Sequence, residues 1–342
     1  MTSDPSTDDW ASLATTPSVA VVGLGGAGSE AVQDLLTLGI PGVHALVVNT
    51  DAKHLMATSV EEKILLGQRE LRGRGSGGDR EVVLRAAEDG KEELLRRLRP
   101  FEIVFLLAGL GGGTGSALLP FLSRELRETE ALAIPVVFLP FHVELETNPG
   151  RRENVEATVE DLEAMGGLLV ALANEKLRRF DSLPVHRVFQ VRNAYLHSLV
   201  ASLVDMVENP SQISVDLSSL KNHLRSSGLS TLIVGEHHIS EPERLVQRAL
   251  SESMLDYRLS AHASALLHLE GGTNMTLRTL DRVLASVRER LGEPEQLVFG
   301  TRVRPEPREV LRLTAVLGGL KSRTMRDALT HRPKSLTPLT AR

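Results

Sequence analysis

Two glycine-rich runs, each directly after an apolar segment, constrain the fold of this chain more than any other feature. Residues 23–28 have the sequence GLGGAG after SVAVV, and residues 109–115 have the sequence GLGGGTG after IVFLLA. A short continuous apolar run predicts a β-strand that is buried on both faces. Glycines at the end of such a strand allow the backbone to turn and to point its N–H groups at an anion. The pattern therefore predicts two phosphate-binding loops at the ends of strands.

Strands and helices alternate through the first half of the chain. The predicted strands are apolar segments at residues 18–24, 44–51, 101–109, 134–141 and 168–174. The predicted helices between them cover residues 29–39, 81–98, 116–129 and 154–165. Continuous apolar strands separated by amphipathic helices are typical of a parallel sheet with helices on both faces. This α/β pattern predicts a doubly wound, Rossmann-like nucleotide-binding domain over residues 18–182.

The second half of the chain has a different organisation. Residues 183–208 form one long helical pattern with apolar residues at three- and four-residue spacing, and an Asn-Pro pair ends it. Residues 220–320 contain four strand candidates and two helix candidates, which predicts a smaller mixed α/β domain. Residues 1–17 are predicted to be a disordered tail. Residues 321–342 carry six basic residues against one acid, which predicts a basic tail that is either solvated or in contact with membrane lipid or an adaptor.

Composition excludes several classes of protein. The chain has 342 residues, enough for about two domains, and its formal net charge of −5 gives no electrostatic reason to expect nucleic acid as a partner. It has no cysteine, so disulfides and thiolate metal sites are excluded. The eleven histidines lack metal-ligand spacing. Neither a signal peptide nor an apolar stretch of membrane-spanning length is visible, which favours a cytoplasmic location.

The first glycine run alone would also fit a dinucleotide-binding enzyme. GLGGAG matches G-x-G-x-x-G, and Asn49 and Asp51 follow at the end of the next strand, where such enzymes place a ribose-binding acid. An NAD(P) oxidoreductase is one alternative, although it requires an acid/base constellation that the second domain does not show. A structural turn without a ligand is another. The second run, in which Thr114 adds a hydroxyl donor, instead favours a polyphosphate held from two sides.

Six motifs, in order along the chain, resemble those of FtsZ, the prokaryotic relative of tubulin. They are VVGLGGAGSEAV, VVNTDAKHL, GRGSGGDREVVLRAA, FLLAGLGGGTGSALLP, PFHVE and LLVALANEKL. The resemblance extends over roughly residues 18–320. It implies a tubulin/FtsZ-type fold, in which residues 183–208 are a central helix between the Rossmann-like nucleotide-binding domain and the smaller C-terminal α/β domain.

The resemblance also implies a guanine-nucleotide site. GTP or GDP, with Mg²⁺ as an optional companion of the phosphates, would contact the following residues: Gly23, Gly25, Gly26, Ala27 and Gly28 in the first run; Asn49 and Asp51; Gly75, Ser76 and Gly77; Gly109, Gly111, Gly112, Gly113, Thr114 and Gly115 in the second run; Glu144 at the ribose; Arg151; and Phe189 and Asn193 on the central helix. Asp216, in an inter-subunit loop at residues 209–219, would act on the nucleotide of a neighbouring subunit.

Several positions depart from the family pattern. Ala194 stands where the resemblance places an acid that recognises guanine, so relaxed base choice is expected. Ser219 replaces the second acid of the inter-subunit loop, so slow or absent hydrolysis is expected. Glu144 and Arg151 are three positions further apart than in the family, with a predicted loop between them. Glu30 replaces an Asn, and its charge is unfavourable beside a phosphate unless a cation offsets it.

The function that the resemblance implies is that of a cytoskeletal protein. The chain would assemble head to tail into a dimer or filament, since a contact between two different surfaces does not close. It would act in cell division, cell shape or membrane remodelling. The alternative is a nucleotide-free or non-hydrolysing structural or regulatory partner of a true FtsZ. The departures at Ala194 and Ser219 leave GTPase activity open.

Overall fold

The computed structural model describes residues 17–208, 213 and 215–330, with residues 327–330 described by their backbone only. The predictions for residues 1–16, for positions 209–212 and 214 of the inter-subunit loop, and for residues 331–342 of the basic tail lie outside the described residues. None of the helices in the described part of the chain combines the length and the apolar character that crossing a membrane requires.

Residues 19–173 form six parallel strands and the helices that cover them. The strands are β1 (Val19–Leu24), β2 (Val43–Asn49), β3 (Glu62–Leu65), β4 (Ile103–Gly109), β5 (Leu132–Leu139) and β6 (Leu169–Ala173). The helices are α1 (Gly25–Leu38), α2 (Ala52–Ala57), α3 (Arg80–Asp89), α4 (Lys91–Leu98), α5 (Gly113–Arg127), α6 (His142–Thr147) and α7 (Pro149–Met165). The strand order is β3-β2-β1-β4-β5-β6, and β1 and β6 are buried along their whole length. The doubly wound α/β domain is therefore confirmed.

The central helix and the second domain are also confirmed. A 3-10 helix (Asn174–Phe180) leads to α8 (Val185–Glu208), the predicted central helix. The elements that follow are α9 (Leu217–Arg225), β7 (Leu229–His238), α10 (Pro242–Ser251), β8 (Arg258–Gly271), α11 (Leu277–Leu291), β9 (Gln296–Val303), β10 (Val310–Lys321) and α12 (Arg323–Thr330). β10 is antiparallel to β7 and β8, and β9 is parallel to β8. A short parallel contact between β6 and β7 joins the two halves into one ten-stranded sheet.

The apolar face of α8 connects the two domains. Leu196, Leu199 and Leu203 are buried in one cluster with Phe105 of β4 and Val316 of β10. The three leucines are spaced by three and four residues, so they lie on one face of the helix. One continuous apolar cluster therefore links the nucleotide-binding sheet to the C-terminal sheet through α8.

Some helix boundaries differ from the predictions. Gly90 divides the predicted helix at residues 81–98 into α3 and α4. α1 begins at Gly25, earlier than predicted, so the first glycine run is partly helical. The predicted loop between Glu144 and Arg151 is instead the junction of α6 and α7. Asn148 separates these two helices and caps the second, since its Oδ1 accepts a hydrogen bond from the Arg151 backbone N–H at 3.0 Å.

The start of the predicted basic tail is the helix α12. The Asp256 carboxylate accepts hydrogen bonds from the backbone N–H of Arg323 at 2.8 Å and of Thr324 at 3.2 Å. The Ser322 hydroxyl lies 3.2 Å from the same carboxylate. A carboxylate at a helix N-terminus satisfies otherwise unpaired N–H groups and interacts favourably with the helix dipole. Within the predicted basic tail, residues 323–330 therefore form a helix that is fixed to the C-terminal domain at its first turn.

Truncating the core face of α8 should destabilise the whole protein. Leu196→Ala should lower the free energy of unfolding by about 2–5 kcal/mol, because it leaves a cavity in a fully buried position. Leu38→Ala, at a position that is 52% exposed, is the control and should change it by less than about 0.5 kcal/mol. Urea denaturation followed by circular dichroism measures both variants. Equal effects of the two substitutions would contradict the linking position of α8.

Candidate functional site

The two glycine runs meet at one edge of the sheet. β1 and β4 are parallel neighbours, with Leu24 paired with Ala108. Their carboxyl ends therefore lie side by side, and α1 and α5 begin close after them. Neither helix has a side-chain cap, since Leu24 precedes α1 and Gly112 precedes α5. The first N–H groups of both helices can therefore bind an anion, which the positive ends of the helix dipoles also favour.

Close packing explains several of the glycines in the two runs. A Cβ atom on Gly28 would lie 2.2 Å from the Leu107 carbonyl oxygen, so the first run packs directly on β4. A Cβ atom on Gly113 would lie 2.2 Å from the Ser76 hydroxyl oxygen. Gly112 differs, because a Cβ atom there would meet no atom within 4 Å. At Gly112 the backbone of the second run faces open space.

A cavity of about 310 Å³ lies between the two runs. The predicted site residues that line it are Gly25, Gly26, Ala27, Gly109, Gly112, Gly113, Thr114, Gly115, Glu144, Arg151 and Phe189. The predicted residues that do not line it are Gly23, Gly28, Asn49, Asp51, Gly75, Ser76, Gly77, Gly111, Asn193 and Asp216. The cavity is also lined by residues outside the predicted nucleotide contacts, of which only Glu30 was expected near a phosphate: Leu24, Glu30, Leu110, Phe138, Pro140, Asn174 and Arg192. The structure therefore brings both glycine runs, the Glu144 region and the central helix to one cavity.

Residues at the end of β2 do not line the cavity but contact Thr114, which does. The Thr50 and Thr114 hydroxyl oxygens are 2.8 Å apart, which ties this strand end to the second glycine run. The Oδ1 atom of Asn49 accepts a hydrogen bond from the Thr50 N–H at 2.8 Å. The Asp51 carboxylate caps α2 by accepting from the His54 N–H at 3.1 Å. Asn49 and Asp51 therefore hold the shape of the loop that carries Thr50.

Glu144 and Arg151 form an ion pair on one wall of the cavity. Arg151 Nη1 donates to Glu144 Oε2 at 2.5 Å, and both residues line the cavity. They meet despite their wide spacing because α6 and α7 pack against each other around Asn148. The Arg151 side chain also covers Gly111, where a Cβ atom would lie 2.3 Å from Arg151 Cγ. This wall thus offers a carboxylate acceptor and a guanidinium donor.

A buried arginine lies on the wall formed by the central helix. Arg192 is 3% exposed, and its guanidinium carbon lies 4.0 Å from the centre of the Phe138 ring. Its Nε donates to Asn193 Oδ1 at 3.1 Å, and its Nη1 donates to Asn174 Oδ1 at 3.3 Å. Burial lowers the pKa of Arg192 to about 10, while nearby carboxylates act in the opposite direction. The group is therefore cationic at neutral pH.

Helix periodicity is the signal that would have indicated Arg192. It follows Phe189 by three residues, so the two side chains lie on one face of α8. Ala194, by contrast, is exposed and lines a separate cavity beside Tyr195. An acid at position 194 would not face the cavity between the glycine runs. The role expected for position 194 is therefore wrong, and with it the reason for expecting relaxed base choice.

Asn193 is held inside the protein rather than at the cavity surface. Its Nδ2 donates to Asp34 Oδ2 at 2.6 Å, and its Oδ1 accepts from Arg192. Glu30, in contrast, lines the cavity, and it interacts favourably with the charge of Arg192. Arg192 is therefore the cation that offsets the charge of Glu30.

Asp216 does not belong to the cavity of its own chain. It is exposed and caps α9, because its carboxylate accepts from the Ser219 backbone N–H at 2.8 Å and from the Ser219 hydroxyl at 2.6 Å. These hydrogen bonds, that of the hydroxyl above all, hold the pKa of Asp216 below its ordinary value. Ser219 therefore holds the Asp216 carboxylate in place.

Fold and site together define an α/β nucleotide-binding protein with glycine loops at two adjacent strand ends. Comparison with protein families specifies the class further. Residues 18–181 match the model of the Tubulin/FtsZ family GTPase domain, and residues 228–321 match that of the FtsZ family C-terminal domain. The chain belongs to the tubulin/FtsZ family of GTP-binding cytoskeletal proteins.

Individual relatives agree with this assignment. The cell division protein FtsZ of Methanothermobacter thermautotrophicus is 31% identical over 306 residues, which cover 89% of this chain and 80% of that protein. FtsZ of M. jannaschii, solved as an empty dimer, has a TM-score of 0.78 at 29% identity and covers 96% of this chain and 100% of its own. CetZ2 of Haloferax volcanii, solved as a GTPγS-bound protofilament, shares the fold with a TM-score of 0.79 at 23% identity. The match covers 91% of this chain and 96% of that chain.

Removing the Ser219 hydroxyl should raise the pKa of Asp216 toward its ordinary value, because this hydroxyl contributes the strongest of the hydrogen bonds that lower it. A depressed carboxyl pKa stabilises the fold above the unfolded pKa, and this contribution is lost as the pH falls through the folded pKa. In Ser219→Ala the loss should therefore begin at a higher pH. NMR titration of the Asp216 carboxyl carbon measures the shift.

The matched control for this titration is Ser218→Ala. Ser218 contributes a backbone hydrogen bond to Asp216, which the substitution retains, so the pKa should stay as in the parent protein. An unchanged pKa in Ser219→Ala would show that the hydroxyl contact does not form in solution.

Proposed function

We propose that this protein binds GTP or GDP in the cavity between the two glycine runs and assembles head to tail into a cytoskeletal filament. The observation that carries the proposal is that two helix N-termini without side-chain caps, those of α1 and α5, border one cavity. Two such termini suit a chain of phosphates, since each offers backbone donors and a favourable dipole. Membership of the tubulin/FtsZ family supports a guanine nucleotide.

Each part of the nucleotide has a counterpart in the cavity wall. The phosphates lie at the starts of α1 and α5, with the Thr114 hydroxyl as a further donor. The Glu144 carboxylate accepts from the ribose hydroxyls, and Arg151 donates on the phosphate side. The base lies beside Phe189. Among the described residues no three His, Asp or Glu side chains converge, so a Mg²⁺ ion would be held mainly by phosphate oxygens and water.

Exposure of Asp216 supports head-to-tail assembly. Its carboxylate lies outside the cavity of its own chain and is accessible to a neighbouring subunit. A contact between the Asp216 loop of one subunit and the nucleotide of the next would join two different surfaces, and such a contact repeats without closing. The proposed role is in cell division, cell shape or membrane remodelling, in line with the FtsZ relatives that are named cell division proteins.

Hydrolysis of the bound nucleotide is proposed to be slow. Transfer of a phosphoryl group to water requires a group that orients the water and accepts its proton. Ser219 stands at the position of the second acid, and its N–H and hydroxyl both bind Asp216. The same contact favours a second candidate function, that of a non-hydrolysing structural or regulatory partner of a true FtsZ.

Gly112→Asp should abolish nucleotide binding and leave the fold intact. Asp is a favoured residue at a helix N-cap, and a Cβ atom at this position meets no protein atom, so α5 should form as before. The new charge would face the phosphates, and repulsion of about 4 kcal/mol at about 4 Å in a partly screened site corresponds to binding weakened about 1,000-fold. Titration calorimetry with GTP and GDP measures the effect.

Two control variants test whether the loss of binding in Gly112→Asp comes from the charge rather than the size of the new side chain, and from its position in the cavity. Gly112→Asn has the same shape without the charge and should bind far more tightly than Gly112→Asp. Gly150→Asp adds the same charge at an exposed position of α7 outside the cavity and should bind as the parent protein does. Undiminished binding by Gly112→Asp would refute the proposed phosphate site.

Ser219→Asp should raise the rate of phosphate release from GTP by about tenfold or more, because it restores a second carboxylate to the loop that meets the neighbouring nucleotide. Ser218→Asp places the same charge one position away and should leave the slow rate unchanged. Phosphate release is measured at protein concentrations at which the chain sediments with GTP. A rapid rate in the parent protein, or no gain over Ser218→Asp, would contradict the account of slow hydrolysis.

A further inference from the structure

We infer that Arg192 selects the base of the bound nucleotide by donating hydrogen bonds to the O6 and N7 atoms of a 6-oxopurine. The inference rests on the proposed nucleotide site and specifies its substrate class. GTP and ITP, which both carry O6 and N7, should bind alike, and adenine nucleotides should be disfavoured. The 2-amino group of guanine, which ITP lacks, should contribute little to binding.

The guanidinium group of Arg192 is fixed in position by the protein itself. Its carbon lies 4.0 Å from the centre of the Phe138 ring and 5.2 Å from that of the Phe189 ring. Its Nε and Nη2 both donate to Asn193 Oδ1 at 3.1 Å, and its Nη1 donates to Asn174 Oδ1 at 3.3 Å. A planar cation held by two rings and two amides has little freedom to lose when a ligand binds.

These contacts leave donors for a ligand. A guanidinium group has five N–H donors and no acceptor. Nη1 and Nη2 each use one of their two N–H groups in the contacts given above, and Arg192 lines the cavity next to Phe189. A pair of donors without an acceptor matches the O6 and N7 acceptors of guanine, whereas the amino group of adenine at the same place is itself a donor. The arginine therefore favours a 6-oxopurine.

Asn193 and Asp34, two polar groups near Arg192, are already engaged with each other or with Arg192. Asn193 Oδ1 accepts from Arg192, and Asn193 Nδ2 donates to Asp34 Oδ2 at 2.6 Å. Neither Asn193 nor Asp34 lines the cavity. Glu30 does line it, but it is exposed, so water competes for its hydrogen bonds. Recognition of the N1–H and 2-amino groups should therefore be weak.

Comparison of GTP with three analogues on the parent protein measures how much each edge of the base contributes to binding. ITP has O6 and lacks the 2-amino group, 2-aminopurine riboside triphosphate has the amino group and lacks O6, and ATP lacks both. Titration calorimetry on the nucleotide-free full chain should place ITP within about threefold of GTP. The other two should bind about 10- to 100-fold more weakly, the range expected for a bidentate arginine–guanine pair.

The outcomes of this series are distinguishable. Weaker binding of ITP than of 2-aminopurine riboside triphosphate would overturn the role of Arg192 and leave the proposed GTP site standing, as would ATP binding as tightly as GTP. Failure of all four nucleotides to bind would overturn both.

Arg192→Met removes the donors and keeps the length of the side chain. It should bind GTP about 10- to 100-fold more weakly and bring GTP and ATP to within about threefold of each other. Arg187→Met, at an exposed position of the same helix, is the control and should retain the preference for GTP. Retention of that preference by Arg192→Met would overturn the inference. Circular dichroism reports whether the variant folds, and if it does not, the four-nucleotide series on the parent protein decides.

Discussion

The parallel pairing of β1 with β4 places two helix N-termini side by side at one edge of the sheet. Gly28 makes this approach possible, because a Cβ atom there would lie 2.2 Å from the Leu107 carbonyl oxygen and would push α1 away from β4. Since neither Leu24 nor Gly112 supplies a side-chain cap, the first N–H groups of both helices remain for a ligand. The proposed anion site is therefore formed by the backbone.

The central helix α8 belongs both to the site and to the core between the domains. Its first half carries Phe189 and Arg192 on the cavity wall, and its second half places Leu203 in the cluster that reaches β10. Asn193, one residue from Arg192, connects the helix to Asp34 of α1. The wall that we propose for the base is thus part of a helix that also packs against the C-terminal domain.

Local patterns predicted the fold and the meeting of the two glycine runs at one edge of the sheet. Continuous apolar strands followed by glycines identify parallel strand ends, and the position of Gly112 and Thr114 follows from that. Helix periodicity places Arg192 on the same face of α8 as Phe189, but no local pattern shows its burial against Phe138, which comes from a distant strand. The Asn-Pro-Gly sequence around Asn148 fits a turn as well as the start of a helix, so the sequence alone predicts a loop where the structure has a helical junction.

The role of Asp216 is the part of the account that depends most on a second subunit. The family resemblance implies a second acid at position 219, and the structure shows that Ser219 binds the Asp216 carboxylate through both of its donors. A carboxylate that caps its own helix is oriented but already partly satisfied, and this is the physical basis of the slow turnover that we propose.

The most direct test of the central claim is to identify the nucleotide that accompanies the purified full chain. Acid denaturation followed by ion-exchange chromatography separates guanine nucleotides, adenine nucleotides and NAD(P). The account predicts GTP or GDP in near-equimolar amount from the parent protein and its loss from Gly112→Asp. Recovery of NAD(P) or an adenine nucleotide, or the absence of any nucleotide together with no binding of added GTP, would contradict it.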